Sequence, residues 1–155
     1  MDFMKKQFRR LQLEQMDARL AVWRGLDLGV RPPSGWVHAI RDALGMSATA
    51  LARRLGMSHA GLRKLEQSEA TDAITLASLR KLAAALDCEL HYALVPRTSL
   101  AQQLQTRAET VARERLRPIS HTMVLEDQAV SSEYEKLHVQ MNAKALLEGS
   151  RRSLW

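Results

Sequence analysis

Ser47-Ala-Thr-Ala-Leu-Ala-Arg-Arg-Leu-Gly56-Met-Ser58-His-Ala-Gly-Leu-Arg-Lys-Leu-Glu66 is the stretch whose reading decides the fold. It divides into two short helices about a tight turn. Leu51, Ala52 and Leu55 share one face of the first helix, because residues three and four apart stack on a helix surface. Gly56 tolerates the left-handed backbone that ends such a helix. Ser58 then caps the second helix, and Leu62 and Leu65 form its inward face. Small Ala52 allows close crossing, and the leucines fill the wedge. This is the sequence form of a helix-turn-helix, although any pair of antiparallel helices shares some of the spacing.

The helix starts on either side use one device. Met46-Ser47 precedes Leu51, Met57-Ser58 precedes Leu62, and Ile74-Thr75 precedes Leu79. Each places a hydroxyl N-cap between an apolar residue outside the helix and another four positions inside it. The cap satisfies a first-turn N–H, and the apolar pair fixes the angle at which the chain joins the helix. A helix from Leu76 to about Leu86 follows, with Leu76, Leu79, Leu82, Ala83 and Leu86 inward. Upstream, Trp36 to about Leu44 reads as a helix with Trp36, Val37, Ile40 and Leu44 inward and Ser34 as its cap. Gly25, Gly29, Pro32-Pro33 and Gly35 make the preceding stretch a connector.

Residues 2 to about 23 form a further helical pattern through Phe8, Leu11, Leu13, Met16, Leu20 and Trp23. Lys5, Lys6, Arg9 and Arg10 cluster at its start. Such an arm either touches DNA phosphates or a partner groove, or packs on its own domain or a second copy. After Leu86 the period changes from helical to alternating. Cys88, Leu90, Tyr92 and Leu94 alternate with Glu89, His91, Ala93 and Val95 up to Pro96, which reads as a β-strand. With no second strand in the sequence, its expected partner is the same strand, Leu90, Tyr92 and Leu94, of a second copy in a two-fold homodimer. Helix is the rival reading. Thr98 to about Arg117 returns to helical spacing, which Pro118 ends or kinks. A segment over 119–129 and a last helix from Ser131 or Ser132 to Gly149 complete the chain. The expected organisation is 1–33, N-terminal helix and linker; 34–96, helix-turn-helix domain with its strand; and 97–155, C-terminal helical extension.

The formal charge is +6, and Arg makes up most of the Lys plus Arg. Arginine presents a planar fork that meets phosphate or guanine with two donors at once. Charge of this sign, beside a helix-turn-helix, favours nucleic acid as partner. The single cysteine, Cys88, precludes an internal disulfide and fits a reducing compartment as a buried, inert thiol. The N-terminus lacks the apolar core of a signal peptide, and no apolar run reaches membrane-spanning length. A cytoplasmic protein that makes no membrane contact is expected.

In a helix-turn-helix the second helix enters the major groove. With Leu62 and Leu65 inward, His59, Ala60 and Arg63 project outward, with Lys64 at the flank. Arg63 is placed to read guanine O6 and N7, Ala60 to touch a thymine methyl, and His59 to donate to a base or phosphate. Lys64 suits phosphate. Ser47, Ala48, Thr49 and Ser58, at the helix N-termini, offer hydroxyl and amide donors to phosphate, and Arg53 adds charge. Glu66 fits a structural pairing with an Arg of a neighbouring helix. Gly61 is unusual inside a helix. It either lets backbone approach DNA or is neutral. His38, His59, His91, His121 and His138 are dispersed, with no metal-ligand spacing, and no phosphate-loop or dinucleotide signature occurs. Catalytic residues, metals and cofactors are not expected.

Trp36-Val-His-Ala-Ile-Arg-Asp-Ala-Leu-Gly-Met-Ser47 and the helix-turn-helix after it resemble the XRE (Cro/CI-like) repressor family. Gly35-Trp36, the Ile74-Thr-Leu helix, Tyr92-Ala-Leu-Val-Pro96, His121-Thr-Met123 and Leu147-Glu-Gly-Ser-Arg-Arg-Ser-Leu-Trp155 together resemble the mobile mystery protein A family. The resemblance implies a mainly α fold around a five-helix-type XRE domain. It also implies a sequence-specific, antitoxin-like repressor that binds double-stranded DNA at a palindromic operator in its own promoter and restrains a Fic-domain partner. The chain departs from the XRE pattern at Ala48, where those proteins often carry a phosphate-contacting Gln. Its near matches to the Ser/Thr-x-x-x-Glu-Gly/Asn pattern of Fic-inhibiting helices each lack the last small residue. The alternative is an interaction module that neutralises a partner enzyme, with DNA binding secondary.

Overall fold

A computed structural model describes residues 1–125 and 132–155. Its α-helices are α1 (Asp2–Arg24), α2 (Trp36–Ala43), α3 (Ala48–Leu55), α4 (His59–Ala70), α5 (Leu76–Ala85), α6 (Leu100–Leu125) and α7 (Ser132–Glu148), with a 3-10 turn at Arg151–Leu154. They form two compact units: Asp27–Ala93, and Met1–Leu26 together with Leu94–Trp155.

The Asp27–Ala93 unit is held by its helix ends as much as by its core. Ser47, Ser58 and Thr75 cap α3, α4 and α5 as their sequence positions predict, each accepting from the N–H three residues on. The outer members of the apolar pairs, Met46, Met57 and Ile74, join one core with Val37, Leu51, Ala52, Leu62, Leu82 and Leu86. The helices end alike too. Gly45, Gly56, Asp72 and Asp87 are all left-handed, with φ of 65°, 65°, 59° and 53°. After each, the next N–H reaches back to a carbonyl five residues earlier: Met46 to Arg41, Met57 to Ala52, Ala73 to Ser68 and Cys88 to Ala83. Such turns satisfy carbonyls that a helix end would leave orphaned.

Helix α2 departs from the expected pattern. Its cap position is Gly35, not Ser34, and no cap side chain serves it. Instead the carboxylate of Glu69, at the far end of α4, accepts from Trp36 N (2.7 Å) and Val37 N (3.0 Å). Gly35 has φ 88°, and a Cβ there would lie 2.9 Å from the Glu69 carboxyl carbon. Glycine is therefore required twice over, by backbone conformation and by close approach. The inward face of α2 is Val37, Ile40 and Arg41. Trp36 and Leu44 are 47% and 60% exposed, contrary to their expected inward placing.

The expected β-strand is absent. No strand occurs among the described residues, and Cys88–Pro96 belongs to no helix or strand. Leu94 is 89% exposed, Tyr92 is exposed, and Leu90 is half-buried. Alternation fixes which side chains share a face, but a strand also needs a neighbour for its N–H and C=O groups, and the described residues of the chain supply none. Other contacts hold the segment: Cys88 N closes the turn after α5, and the Arg80 guanidinium lies 5.7 Å from the centre of the Tyr92 ring. Leu90, Tyr92 and Leu94, expected to pair as a strand across a dimer, therefore lie in no strand. Cys88 is exposed, not buried.

In the second unit, α6 and α7 pack through Ala108, Val111, Ala112 and Ala143, whose small side chains let the helices approach closely. Leu154, from the 3-10 turn, is fully buried in the same cluster, and its carbonyl accepts from Arg107 Nε. Asp17 of α1 accepts from Leu100 N (2.6 Å) and Ala101 N (3.0 Å), so one helix caps another. Helix α6 runs through Pro118 instead of ending there. Of the helical segment expected over 119–129, residues 119–125 continue α6, and the remainder lies outside the described residues, as does Ser131.

Candidate nucleic-acid interface

The interface is built from the inside out. Leu51 and Leu62 have no exposed surface, and between them they fix the crossing of α3 and α4. Arg41 of α2 and Glu66 of α4 form a buried ion pair beneath the same helix. Arg41 Nε donates to Glu66 Oε1 (2.7 Å), Nη2 donates to Oε2 (3.3 Å), and Nη1 donates to the Met46 carbonyl (2.9 Å). The hydrogen bond to Glu66 raises the Arg41 pKa above its ordinary value despite burial, so Arg41 remains a permanent cation. Both residues are held in register by a bidentate fork. The structural pairing expected of Glu66 is thus met, with Arg41 as partner. At the end of α4, Arg31 donates to the Glu69 carbonyl (2.9 Å) and pairs with Asp72.

With Leu62, Glu66 and Glu69 buried, α4 must present the opposite face. His59, Ala60, Arg63 and Lys64 are all exposed. Among the described residues, no hydrogen bond or ion pair engages the side chains of His59, Arg63 or Lys64. Ser58 accepts from Gly61 N at 3.0 Å, which leaves its hydroxyl proton free to donate outward. Ser47 does the same at α3, accepting from Ala50 N at 3.1 Å. Thr49 and Arg53 are exposed on α3. Ala48 is not: it is 8% exposed and belongs to the core, so only its backbone N–H can face a ligand. Arg54, beside Arg53, donates to the Ala85 carbonyl (3.1 Å) and ties α3 to α5. Gly61 has a local reason. A Cβ there would sit 3.1 Å from the Ser58 hydroxyl, so the cap crowds that position.

Spacing alone did not point to Glu69. Its signal was indirect: a glycine at 35 where a capping hydroxyl would normally stand, and an acidic residue four positions past Leu65 on α4. Among the described residues, no His, Cys, Asp and Glu cluster is arranged to hold a metal ion. None of their helices is long and apolar enough to cross a membrane.

Two short helices joined by a left-handed turn, the second capped, buried on one face and bare on the other, define a helix-turn-helix DNA-binding domain. Residues 37–92 match the helix-turn-helix family model, of XRE type. This is a DNA-binding regulatory domain and not an enzyme family, and its presence over 37–92 supports a DNA-binding role in transcription regulation. No curated protein and no solved structure matches the chain.

Proposed function

We propose that the protein is a sequence-specific repressor that binds double-stranded DNA as a homodimer, with α4 of each copy in the major groove. Arg63 reads a guanine, Ala60 meets a thymine methyl, and His59 donates to a base or phosphate. Lys64, Arg53 and the first turns of α3 and α4, with Ser47, Thr49 and Ser58, hold phosphates. The observation that carries this reading is the bare outer face of α4: its cations have no partner among the described residues, while Leu62, Glu66 and Glu69 on the inner face of the same helix are buried. A single α4 offers few base-reading side chains, so a palindromic site read by two copies supplies the affinity, with half-sites about 34 Å apart. Selection from a randomised duplex pool tests the reading. An enriched palindrome supports it, most directly if the palindrome occurs in the gene's own upstream region. A pool that stays random refutes it.

Autoregulation of an operon shared with a Fic-domain partner, and restraint of that partner, form the finer part of the proposal. Its support is the resemblance carried by Gly35-Trp36, Tyr92–Pro96 and Leu147–Trp155. Co-expression with the neighbouring gene product tests it. A complex that suppresses the partner's activity is expected, and two proteins that neither bind nor inhibit overturn it.

A further inference from the structure

Helix α1 has two unlike sides. Leu13, Asp17, Leu20 and Trp23 are half-buried, and Asp17 caps α6. On the opposite side Met4, Phe8 and Leu11 are 70%, 67% and 51% exposed, and their spacing sets them in one row. Met1, Met4 and Phe8 line an open groove of about 910 Å³ that Ser150, Arg151 and Arg152 also line. Lys5 and Arg9 complete its lining, and no acidic residue contributes. The cations of α1 differ in their engagement. Lys6 pairs with Asp2 (3.5 Å) and Arg10 with Glu14 (2.8 Å). Lys5, Arg9, Arg151 and Arg152, all lining the groove, have no acidic partner among the described residues.

We propose that this groove binds an acidic amphipathic helical segment of a partner protein, its apolar stripe on Met4 and Phe8 and its carboxylates on Lys5, Arg9, Arg151 and Arg152. The floor and the rim decide the occupant together. Phosphates of a nucleic acid would satisfy the cations and leave the apolar floor without a ligand. A second copy seated here by two-fold symmetry would bring one unpaired cationic rim against another, which is unfavourable. A bilayer would meet a free apolar helix face, but here Ser150, Arg151 and Arg152 line the same groove as Met4 and Phe8. An apolar stripe laid in a groove with opposite charges at the rim is a recurrent mode of peptide recognition. The proposal is independent of what α4 reads.

The test uses the full chain and a display library of helical 16-mers sharing one leucine stripe, flanked by Glu, Gln or Lys. Glu-flanked members should enrich. An enriched peptide should lose at least about tenfold in affinity on Phe8→Ser or Arg152→Glu, both exposed positions whose helicity is checked by circular dichroism. Lys-flanked peptides should gain on the Arg152→Glu protein. No enrichment, enrichment indifferent to flanking charge, or affinity unmoved by both substitutions overturns the proposal. So does Phe8-dependent binding to phosphatidylglycerol vesicles, or Phe8-dependent self-association, when no peptide is selected.

Discussion

Glu69→Gln tests how the helix-turn-helix is held. Glu69 is 2% exposed, and each carboxylate oxygen accepts one N–H from the start of α2. Glutamine keeps the shape but replaces one oxygen with an NH2 group, which then faces a backbone donor. One charge-assisted hydrogen bond is lost, about 1.5–3 kcal/mol, and a buried N–H is left unsatisfied, about 1–3 kcal/mol. The favourable placing of a negative charge at a helix N-terminus goes with them. These effects overlap, so the expected destabilisation is about 3 kcal/mol. For a domain of this size that lowers Tm by about 12–24 °C. Urea unfolding followed by far-ultraviolet circular dichroism measures the loss. Hydrogen exchange localises it, because the Trp36 and Val37 amides should lose protection first. A loss below about 1 kcal/mol, or unchanged exchange at those amides, would refute the capping role.

Arg41→Ala should cost about 3–5 kcal/mol in denaturant unfolding, because it leaves the Glu66 carboxylate buried without its partner. Arg41→Lys should recover only part of this, since an ammonium cannot span both oxygens; a Lys variant as stable as the parent would count against the fork. Leu154→Ala removes a fully buried side chain from the α6–α7 cluster and should cost about 2–5 kcal/mol. A chain indifferent to that change would mean the 3-10 turn is not part of the core. Lys64→Ala should weaken DNA binding about equally across sequences and reduce the salt slope by roughly one, as titrations at several salt concentrations would read.

The helix-turn-helix was legible because its instructions are local. Ser47, Ser58 and Thr75 act on N–H groups three residues away, and Gly56 acts on its own backbone. Such signals survive whatever the rest of the chain does. Asp72 and Asp87 end their helices as Gly56 does, but aspartate tolerates the left-handed region without announcing it. The Glu69 cap spans thirty-odd positions of sequence, and no period marks a contact between the end of one helix and the start of another. Trp36 was misplaced for a related reason: Arg41, a charged residue, took the inner position because Glu66 was there to meet it. The segment 88–95 failed differently. Its alternation is real, but pairing is a property of two strands, and one sequence segment cannot state whether the other exists. On the outer face of α4 the burial of Leu62 and Glu66 left little choice. Ala48 is the exception, where burial left only the amide to face outward.

In the proposed complex α4 reads bases through Arg63. The most direct test compares Arg63→Ala with the parent protein on the selected duplex and on each of its single-base variants, at fixed salt. The account predicts a loss of about 1–3 kcal/mol on the best site and a flattened preference at one base pair in each half-site, with preferences elsewhere intact. An Arg63→Ala protein that keeps both its affinity and its full set of base preferences would contradict it.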